Sequence, residues 1–138
     1  MLRSPPLFAG PLALALCACQ PFGPASETVS GTLTFRERIA LPPDAVAVVS
    51  LVDISGADAR DALLGRTEII GPGNPPIPFD VRYLPNAVKP ERPYGVRAQI
   101  AVRDELWFSN DRTYPVLTGG APRHVEILLL RSDAAPVE

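Results

Sequence analysis

The sequence predicts an all-β fold, an antiparallel sandwich of two packed sheets with six or seven strands. Apolar and polar residues alternate with period two in several segments. Proline and glycine separate these segments at fairly regular spacing, and the 17 prolines would interrupt long helices. The chain has 138 residues, a length that suits one domain with its own core. A small closed barrel is the alternative that this pattern leaves open.

The first 18 residues have the order of a secretory signal peptide. Arg3 supplies one positive charge, and an apolar run follows from Leu7 to Leu16. This run is shorter than the roughly 20 residues that a spanning helix needs, and Gly10 and Pro11 interrupt it. We therefore expect residues 1–18 to be cleaved rather than to remain as a membrane helix.

The cleavage site is predicted to lie before Cys19. The small residue Ala18 precedes Cys19, whereas the bulky Leu16 precedes Cys17. Leu16 to Cys19 resembles the bacterial lipobox, in which the cysteine becomes the mature N-terminus and carries a diacylglycerol. Two or three long acyl chains such as palmitate would anchor the protein stably. Secretion with cleavage near Ala18, or a disulfide between Cys17 and Cys19, are the alternatives.

The residue after Cys19 bears on the choice of membrane. Gln20 stands where lipoproteins retained in the inner membrane of enteric bacteria usually have aspartate. For a Gram-negative host, this indicates the outer membrane, with the domain facing the periplasm. Residues 19–27 are predicted to form a flexible tether, residues 28–131 the sandwich domain, and residues 132–138 a disordered tail.

Two strands are predicted in the first half of the domain. Alternation from Val29 to Arg36 indicates a half-buried strand. The segment Ala45–Ile54 is so rich in β-branched residues that we expect it to be a central strand buried on both faces. We interpret Gly56–Arg66 as a loop and Thr67–Ile70 as a short strand.

The second half of the domain contains the clearest hairpin. Tyr94–Val102 alternates strictly, and Asp104 and Glu105 are predicted to turn the chain into Leu106–Phe108. Before it, Ile77–Arg82 is flanked by prolines, which favours an edge strand. The last predicted strand is His124–Leu130.

Composition argues against several function classes. The net charge is −2 and no basic run occurs, so nucleic-acid binding is not expected. His124 is the only histidine, it begins an apolar strand, and no nucleophile motif accompanies it. Because zinc sites need several Cys or His ligands, no metal or other cofactor is expected. Gly71–Pro76 is predicted to be a proline-stiffened loop rather than a phosphate cradle.

Two further clusters have both a functional and a structural interpretation. Asp53, Ser55 and Asp58 could offer oxygen ligands to calcium, but their spacing does not match a complete loop, and a turn explains them better. Four aromatic residues could form a ligand platform, although aromatic residues in a hairpin more often belong to the core. These are Tyr94, Trp107, Phe108 and Tyr114.

Several stretches, taken together, resemble one known family. They are Gly31–Ala45, Val52–Ser55 with Ala57–Ala59, Pro76–Phe79, Tyr94–Ala98 and Tyr114–Thr118. This ordered set, from about Val29 to Leu130, resembles the YbaY family of envelope lipoproteins, which is grouped with YscW-like type III secretion lipoprotein chaperones.

The resemblance implies an immunoglobulin-like or transthyretin-like sandwich with a lipid anchor and no enzyme activity. YscW-like pilotins bind a secretin subunit and carry it to the outer membrane. We therefore expect a non-enzymatic binding or structural module of the envelope, with the membrane and an envelope protein as partners. A pilotin-like chaperone for a secretin or another secretion-system subunit is the first alternative, and a hydrolase of envelope polymers is the second.

Overall fold

The computed structural model describes residues 2–6, 10, 25–56 and 62–132. In this part of the chain it contains nine β-strands and one short 3₁₀ helix, Pro85–Ala87. The strands are β1 (Glu27–Thr34), β2 (Ala45–Asp53), β3 (Ala62–Ile70), β4 (Ile77–Tyr83), β5 (Tyr94–Val102), β6 (Glu105–Ser109), β7 (Tyr114–Val116), β8 (His124–Leu128) and β9 (Leu130–Arg131).

The strands form two sheets. In the three-stranded sheet, β1 lies between β4, its antiparallel neighbour, and β8, its parallel neighbour. In the six-stranded sheet the order is β3, β2, β5, β6 and β9, and β7 pairs with the part of β5 that β6 leaves open. The chain passes from one sheet to the other between β8 and β9, at the buried residue Leu129.

The core lies between the sheets and follows from the alternation of each strand. Every second side chain of β1 and β4 points inward, while β2 and β5 contribute the opposite wall. Phe35 stacks on Phe108 with 4.4 Å between ring centroids, and this contact joins the two walls. The buried apolar residues are Val29, Leu33, Phe35, Ala45, Ala47, Val49, Leu51, Val52, Ile77, Phe79, Val81, Tyr83, Tyr94, Val96, Ala98, Ile100, Val102, Phe108, Val116, Val125, Ile127 and Leu129.

One flank of the sandwich is closed where β3 approaches β4. Gly65 in β3 lies so close to the carbonyl oxygen of Arg82 that a Cβ atom at this position would collide with it. The side chain of Val81 packs against the same spot. A glycine is therefore required because two backbones meet here, not because the chain turns.

The structure confirms the predicted all-β sandwich and most of its strands. The segment predicted as central is β2, which has β3 on one side and β5 on the other. The proline-flanked strand is β4, at the edge of its sheet, and β5 and β6 form the predicted antiparallel hairpin. Gly71–Pro76 lies in the loop between β3 and β4.

Three local predictions were wrong. Residues 62–66, the last part of the predicted loop Gly56–Arg66, begin strand β3. The hairpin turns at Arg103 and Asp104 with positive φ angles of 50° and 65°, one residue earlier than predicted, so that Glu105 already belongs to β6. The sandwich is not purely antiparallel either, because β1 and β8 run parallel.

Backbone hydrogen bonds hold both ends of the sandwich domain. β1 begins at Glu27, the last residue of the predicted tether. Ser132, where the predicted tail starts, donates its backbone N–H to the carbonyl of Trp107 at 2.8 Å. Residues 133–138 of that tail lie outside the described residues. No helix among the described residues is long and apolar enough to cross a membrane.

Candidate functional site

The outer face of the six-stranded sheet carries a groove of about 410 Å³. Four strands or their ends contribute to it, so it runs across the strands rather than along one of them. Its lining combines aliphatic side chains, amides, hydroxyls and two guanidinium groups. The lining residues are Val48, Ser50, Val52, Leu63, Arg66, Arg97, Ala98, Gln99, Ser109 and Asn110.

The register of the strands explains the shape of the groove. Ser50 in β2 is paired with Arg66 in β3 on one side and with Arg97 in β5 on the other. Residues paired across neighbouring strands project from the same face. A short hydroxyl therefore lies between two long side chains whose Cα atoms are two strand spacings, about 10 Å, apart. This pattern produces a depression with a cationic group on each side.

The floor of the groove is aliphatic. Val48 and Val52 flank Ser50 along β2, and Val48 is only half buried although it belongs to a central strand. Leu63 in β3 is 58% exposed at the same site. The prediction that β2 is buried on both faces is therefore correct at Val52, which is 5% exposed, but wrong at Val46, Val48 and Ser50, whose outward side chains are only half buried.

Asn110 fixes the wall of the groove that β5 and the end of β6 form. Its backbone N–H donates to the carbonyl of Ala98, and its side-chain oxygen accepts the N–H of Ala98 at 2.9 Å. The side-chain amide also donates to the carbonyl of Arg112 at 2.7 Å. The asparagine thus continues the pairing of β5 beyond the end of β6 and gives the groove a rigid border.

The charged side chains that line the groove are arginines. Arg66 forms an ion pair with Glu68, two residues along β3, at 2.7 Å, and both side chains are about half exposed. Exposed pairs of this kind stabilise little. Among the described residues that line the groove there are two arginines and no carboxylate, whereas the whole chain has a net charge of −2.

The sequence analysis did not identify the groove. Its residues come from β3, β2, β5 and β6, and the pairing that brings Arg66, Ser50 and Arg97 into one row is not visible in the chain order. One signal was present: β2 is more apolar than a strand with one solvated face requires. This excess of apolar residues is the basis of the prediction that β2 is buried on both faces.

His124 lies on the opposite, three-stranded sheet and is exposed. Its Nδ1 atom is 3.1 Å from the hydroxyl oxygen of Ser30. Asp80 is paired with Ser30 from the other side, so the row is carboxylate, hydroxyl, imidazole. In a catalytic triad the carboxylate lies on the far side of the imidazole from the serine, where it orients the imidazole. Here the carboxylate lies on the far side of the serine instead. No described acidic side chain bonds to His124, and this arrangement agrees with a surface histidine.

Asp53 anchors a turn, as the sequence analysis preferred. Its carboxylate accepts hydrogen bonds from the amide and hydroxyl of Ser55 and from Arg92 at 3.1 Å. These bonds, above all the one from the Ser55 hydroxyl, lower the pKa of Asp53 below its ordinary value. Asp58, the third calcium candidate, lies outside the described residues.

The aromatic candidates are mainly core residues. Tyr94 and Phe108 are buried, and Trp107 and Tyr114 pack against the core from partly exposed positions. The hydroxyl of Tyr94 accepts the amide of Lys89 at 2.8 Å, and that of Tyr114 accepts the amide of Leu128 at 3.0 Å. Arg131 covers the ring of Trp107 at 5.5 Å. The preferred interpretation as core is correct, since two of these side chains lie in the core and the other two pack against it.

Cys19, the predicted lipidation site, lies outside the described residues, as do Cys17 and most of the predicted signal peptide. Within the described part of the chain, no group of three or more His, Cys, Asp or Glu residues could hold a metal ion.

Comparison with known proteins relates this fold to secretion systems. Residues 24–129 match the family model described as type III secretion system lipoprotein chaperone (YscW). The chain is 33% identical over 150 aligned positions to the uncharacterized lipoprotein YbaY of Escherichia coli K12, covering 92% of this chain and 79% of that protein.

A solved structure matches as well. An alternative pilotin from the type II secretion system of Vibrio cholerae is 33% identical and superposes with a TM-score of 0.76. The match covers 80% of this chain and 100% of the pilotin chain. Since the family model spans most of the sequence and the folds agree, the chain belongs to the YscW family of lipoproteins.

Proposed function

We propose that this protein is a lipid-anchored, non-enzymatic binding module of the cell envelope that serves as a pilotin-like chaperone. The observation that carries the proposal is the likeness to the Vibrio cholerae pilotin, at 33% identity and a TM-score of 0.76 over that entire chain. The description of the family as a secretion-system lipoprotein chaperone supports the same reading. The cargo that fits best is a secretin subunit or another subunit of a secretion system.

The anchor in this proposal is diacylglycerol on Cys19, with the domain on the periplasmic side of the outer membrane. Seven residues, 20–26, lie between Cys19 and Glu27, where β1 begins, so the tether has eight Cα–Cα steps. At about 3.5 Å per extended residue, they hold the start of the domain within roughly 28 Å of the lipid headgroups. A short tether of this length keeps a bound cargo close to the bilayer into which it must insert.

The second function that we considered, hydrolysis of envelope polymers, has weaker support. The described residues offer one exposed imidazole, that of His124, and it lacks an orienting carboxylate. The groove on the six-stranded sheet contains arginines, amides and aliphatic groups, which suit recognition better than proton transfer. Binding is therefore the function that this surface supports best.

The proposal is tested by deleting the gene and following the secretins of the same cell. We expect fewer secretin multimers, or multimers displaced to the inner membrane. Wild-type protein should restore them, whereas Cys19→Ala should not, because it removes the anchor. His124→Ala serves as the matched control and should restore them fully. Unchanged multimers in the deletion strain would refute the chaperone function.

The anchor has a separate test. Mass spectrometry of protein purified from membranes should identify Cys19 as the first residue, with a mass increase that corresponds to diacylglycerol and a third acyl chain. An unmodified N-terminus near Ala18 would show that the protein is secreted without lipid.

A further inference from the structure

Strand β3 is a free edge of the six-stranded sheet, since in the described part of the chain it pairs with β2 on one side only. We infer that this edge binds the same edge of a second copy of the chain. The two β3 strands would run antiparallel about a two-fold axis at Thr67 and join two six-stranded sheets into one. This interface goes beyond the proposed function and does not depend on it.

The backbone of β3 has groups available for such pairing. The N–H of Gly71 donates to the carbonyl of Ala45 at 2.8 Å, and these two residues continue the register of β2 with β3. In an antiparallel pair, alternate residues turn their backbone groups toward the partner strand. Odd-numbered residues of this segment therefore face β2, whereas Arg66, Glu68 and Ile70 turn their N–H and C=O groups outward. No hydrogen bond from another described residue satisfies these outward groups.

The edge of β4, on the same flank, is less suited to an added strand. Ser30 donates its N–H to the carbonyl of Arg123, so the even-numbered residues of β1 face β8 and the odd-numbered ones face β4. The register of β1 with β4 then turns Pro78 and Arg82 outward. Pro78 has no N–H to donate, and Gly65 packs against the carbonyl of Arg82. Of these two described edges, β3 therefore keeps the more complete row of donors and acceptors.

The charges on β3 select a second copy as the occupant. Arg66 and Glu68 lie two residues apart on one face, where they form an ion pair of 2.7 Å with both side chains about half exposed. With the axis at Thr67, antiparallel pairing places Arg66 opposite Glu68 of the second copy, and the reverse. Each guanidinium keeps the carboxylate of its own strand and gains another across the interface. Opposite charges placed directly across antiparallel strands stabilise their pairing.

The exposed apolar residues of β3 fit the same axis. Leu63 is 58% exposed and Ile70 is 75% exposed, and they lie near opposite ends of the strand. They pair with Val52 and Val46, so they share one face of the sheet. Reversal about Thr67 brings Ile70 to the level of residues 63 and 64 of the second copy. Each copy thus covers aliphatic surface of the other, which gains about 25 cal/mol per Å², and the surface is self-complementary as a two-fold interface requires.

A shift of the axis removes this match. An axis at Glu68 would set two carboxylates directly opposite each other, and an axis at Arg66 would do the same with two guanidinium groups. With the axis at Thr67, the two threonines form a pair without mutual hydrogen bonds, whose Cα atoms lie about 4.5 Å apart. This separation falls within the range that a disulfide can span, about 4.4–6.8 Å.

The experiment is disulfide cross-linking of the full-length protein in freshly lysed cells, with copper phenanthroline as the oxidant of the thiols. Thr67→Cys should give a dimer on a non-reducing gel that disappears on reduction, and mass spectrometry should find position 67 joined to itself. Thr32→Cys is the matched control, because Thr32 is also a half-buried strand threonine but lies in the other sheet. Wild type, with Cys17 and Cys19, gives the background. Glu68→Cys should form much less dimer than Thr67→Cys.

Charge variants in the Thr67→Cys background test the pairing across the interface. R66E sets a second carboxylate opposite Glu68 and should reduce the cross-linked fraction at least about fivefold. E68R reverses the other charge and should cause a similar loss. R66E/E68R exchanges the two charges, restores opposite pairs and should recover the dimer. R36E changes an exposed arginine outside β3 and should have no effect. If one single reversal fails to fold by circular dichroism, the other carries the comparison.

Four results would overturn the inference. The first is no more dimer from Thr67→Cys than from Thr32→Cys, and the second is more dimer from Glu68→Cys, which would require another register. The third is a cross-linked fraction that R66E and E68R leave unchanged or that R66E/E68R does not recover. The fourth is a cross-link from position 67 to a different polypeptide, which would assign the edge to another protein. None of these measurements involves secretins, so failure of the chaperone function would leave the interface standing.

Discussion

The two outer faces of the sandwich differ in chemistry although the strands behind them share one core. The face of the three-stranded sheet carries mostly hydroxyl and charged side chains, beside the apolar Pro78 and Leu128. The polar residues are Thr28, Ser30, Thr32, Thr34, Asp80, Arg82, His124 and Glu126. The face of the six-stranded sheet carries valines at the matching central positions of β2, with Arg66 and Arg97 beside them.

The two faces show which side chains the core requires and which it does not require. Inward residues such as Val49 and Leu51 are needed for the core, but Val48 on the other side of β2 contributes nothing to it. A threonine there would serve a solvated sheet equally well, as it does on β1. Valine is favoured in strands on either face, so Val48 suits β2 while it leaves apolar surface at the groove.

The largest expected effect tests the core that both faces share. Phe108→Ala removes a fully buried ring that stacks on Phe35 and should reduce the free energy of unfolding by about 3–5 kcal/mol. Chemical denaturation followed by circular dichroism measures this loss. Ser109→Ala, the next residue and a groove residue, should change stability by less than about 0.5 kcal/mol. Similar losses of unfolding free energy in Phe108→Ala and Ser109→Ala would contradict the distinction between inward and outward side chains of β6.

A second variant compares the two sides of β1. Gly31 faces inward, and a Cβ atom there would collide with the carbonyl of Val125 and the ring of Phe79. Gly31→Ala should therefore cost about 1–3 kcal/mol, because a neighbouring strand or ring must move. Ser30→Ala, on the polar outer side, should cost less than about 1 kcal/mol. Thermal denaturation measures the stability of both variants. If Gly31→Ala were as stable as wild type, the close packing around Gly31 would be contradicted.

A pH dependence is expected at the end of β2. Hydrogen bonds from Ser55 and Arg92 lower the pKa of Asp53 from its ordinary value of 3.8, so its ionised form is favoured in the folded state. The stability that it contributes is present above pH 3.8 and is lost as the pH falls through the lowered pKa.

Asp53→Asn should thus be less stable than wild type at neutral pH, and the gap should narrow below about pH 3.8. Urea denaturation between pH 2 and pH 7 measures the gap. Asp44→Asn is the control: a hydrogen bond from Arg103 also lowers the pKa of Asp44, but this pair is more exposed and its effect should be smaller. A gap for Asp53→Asn that is independent of pH would contradict the interpretation.

The smallest change in stability is expected from exchanging valine and threonine between the two outer faces. Val48→Thr and Thr32→Val each alter one outward position of a central strand and should shift stability by less than about 1 kcal/mol. Urea denaturation of both variants measures the shift. A loss above about 1 kcal/mol in either variant would show that its outward side chain is needed for the fold.

The strands of the core were predictable because each alternates within itself. Val29, Gly31 and Leu33 in β1 face inward exactly as period two requires, and β4 and β5 follow the same rule. The prolines around β4 also indicated its position at an edge, where a missing N–H costs no ladder hydrogen bond. Local sequence thus carried the information for these elements.

The first half of β3 and all of β7 were not predictable in this way. Gly65 looked like a loop residue, but it is a glycine because the backbone of Arg82 lies against it, a contact 17 residues away in the chain. β7 has three residues and contains Pro115, so neither length nor alternation indicates a strand. It is held by pairing with β5, which the sequence does not reveal.

The groove was hidden for the same reason. Arg66, Ser50 and Arg97 form a row only because β3 and β5 pair with β2 in a particular register. In sequence, Arg66 lies 16 residues after Ser50 and Arg97 lies 31 residues after Arg66, and each looks like an ordinary exposed residue. Sites assembled by register between distant strands can be found only once the register is known.

The parallel pairing of β1 with β8 has a mechanical consequence. The chain enters the sandwich at Glu27, and β8 leaves toward the opposite end of the sheet. A load that pulls these ends apart acts along β1, which is paired over seven positions with β4 and five with β8. Those bonds are strained in shear and must slip together rather than unzip one by one. Tension between the N-terminal end of β1 and the C-terminal end of β8 would thus load this sheet along its more resistant direction.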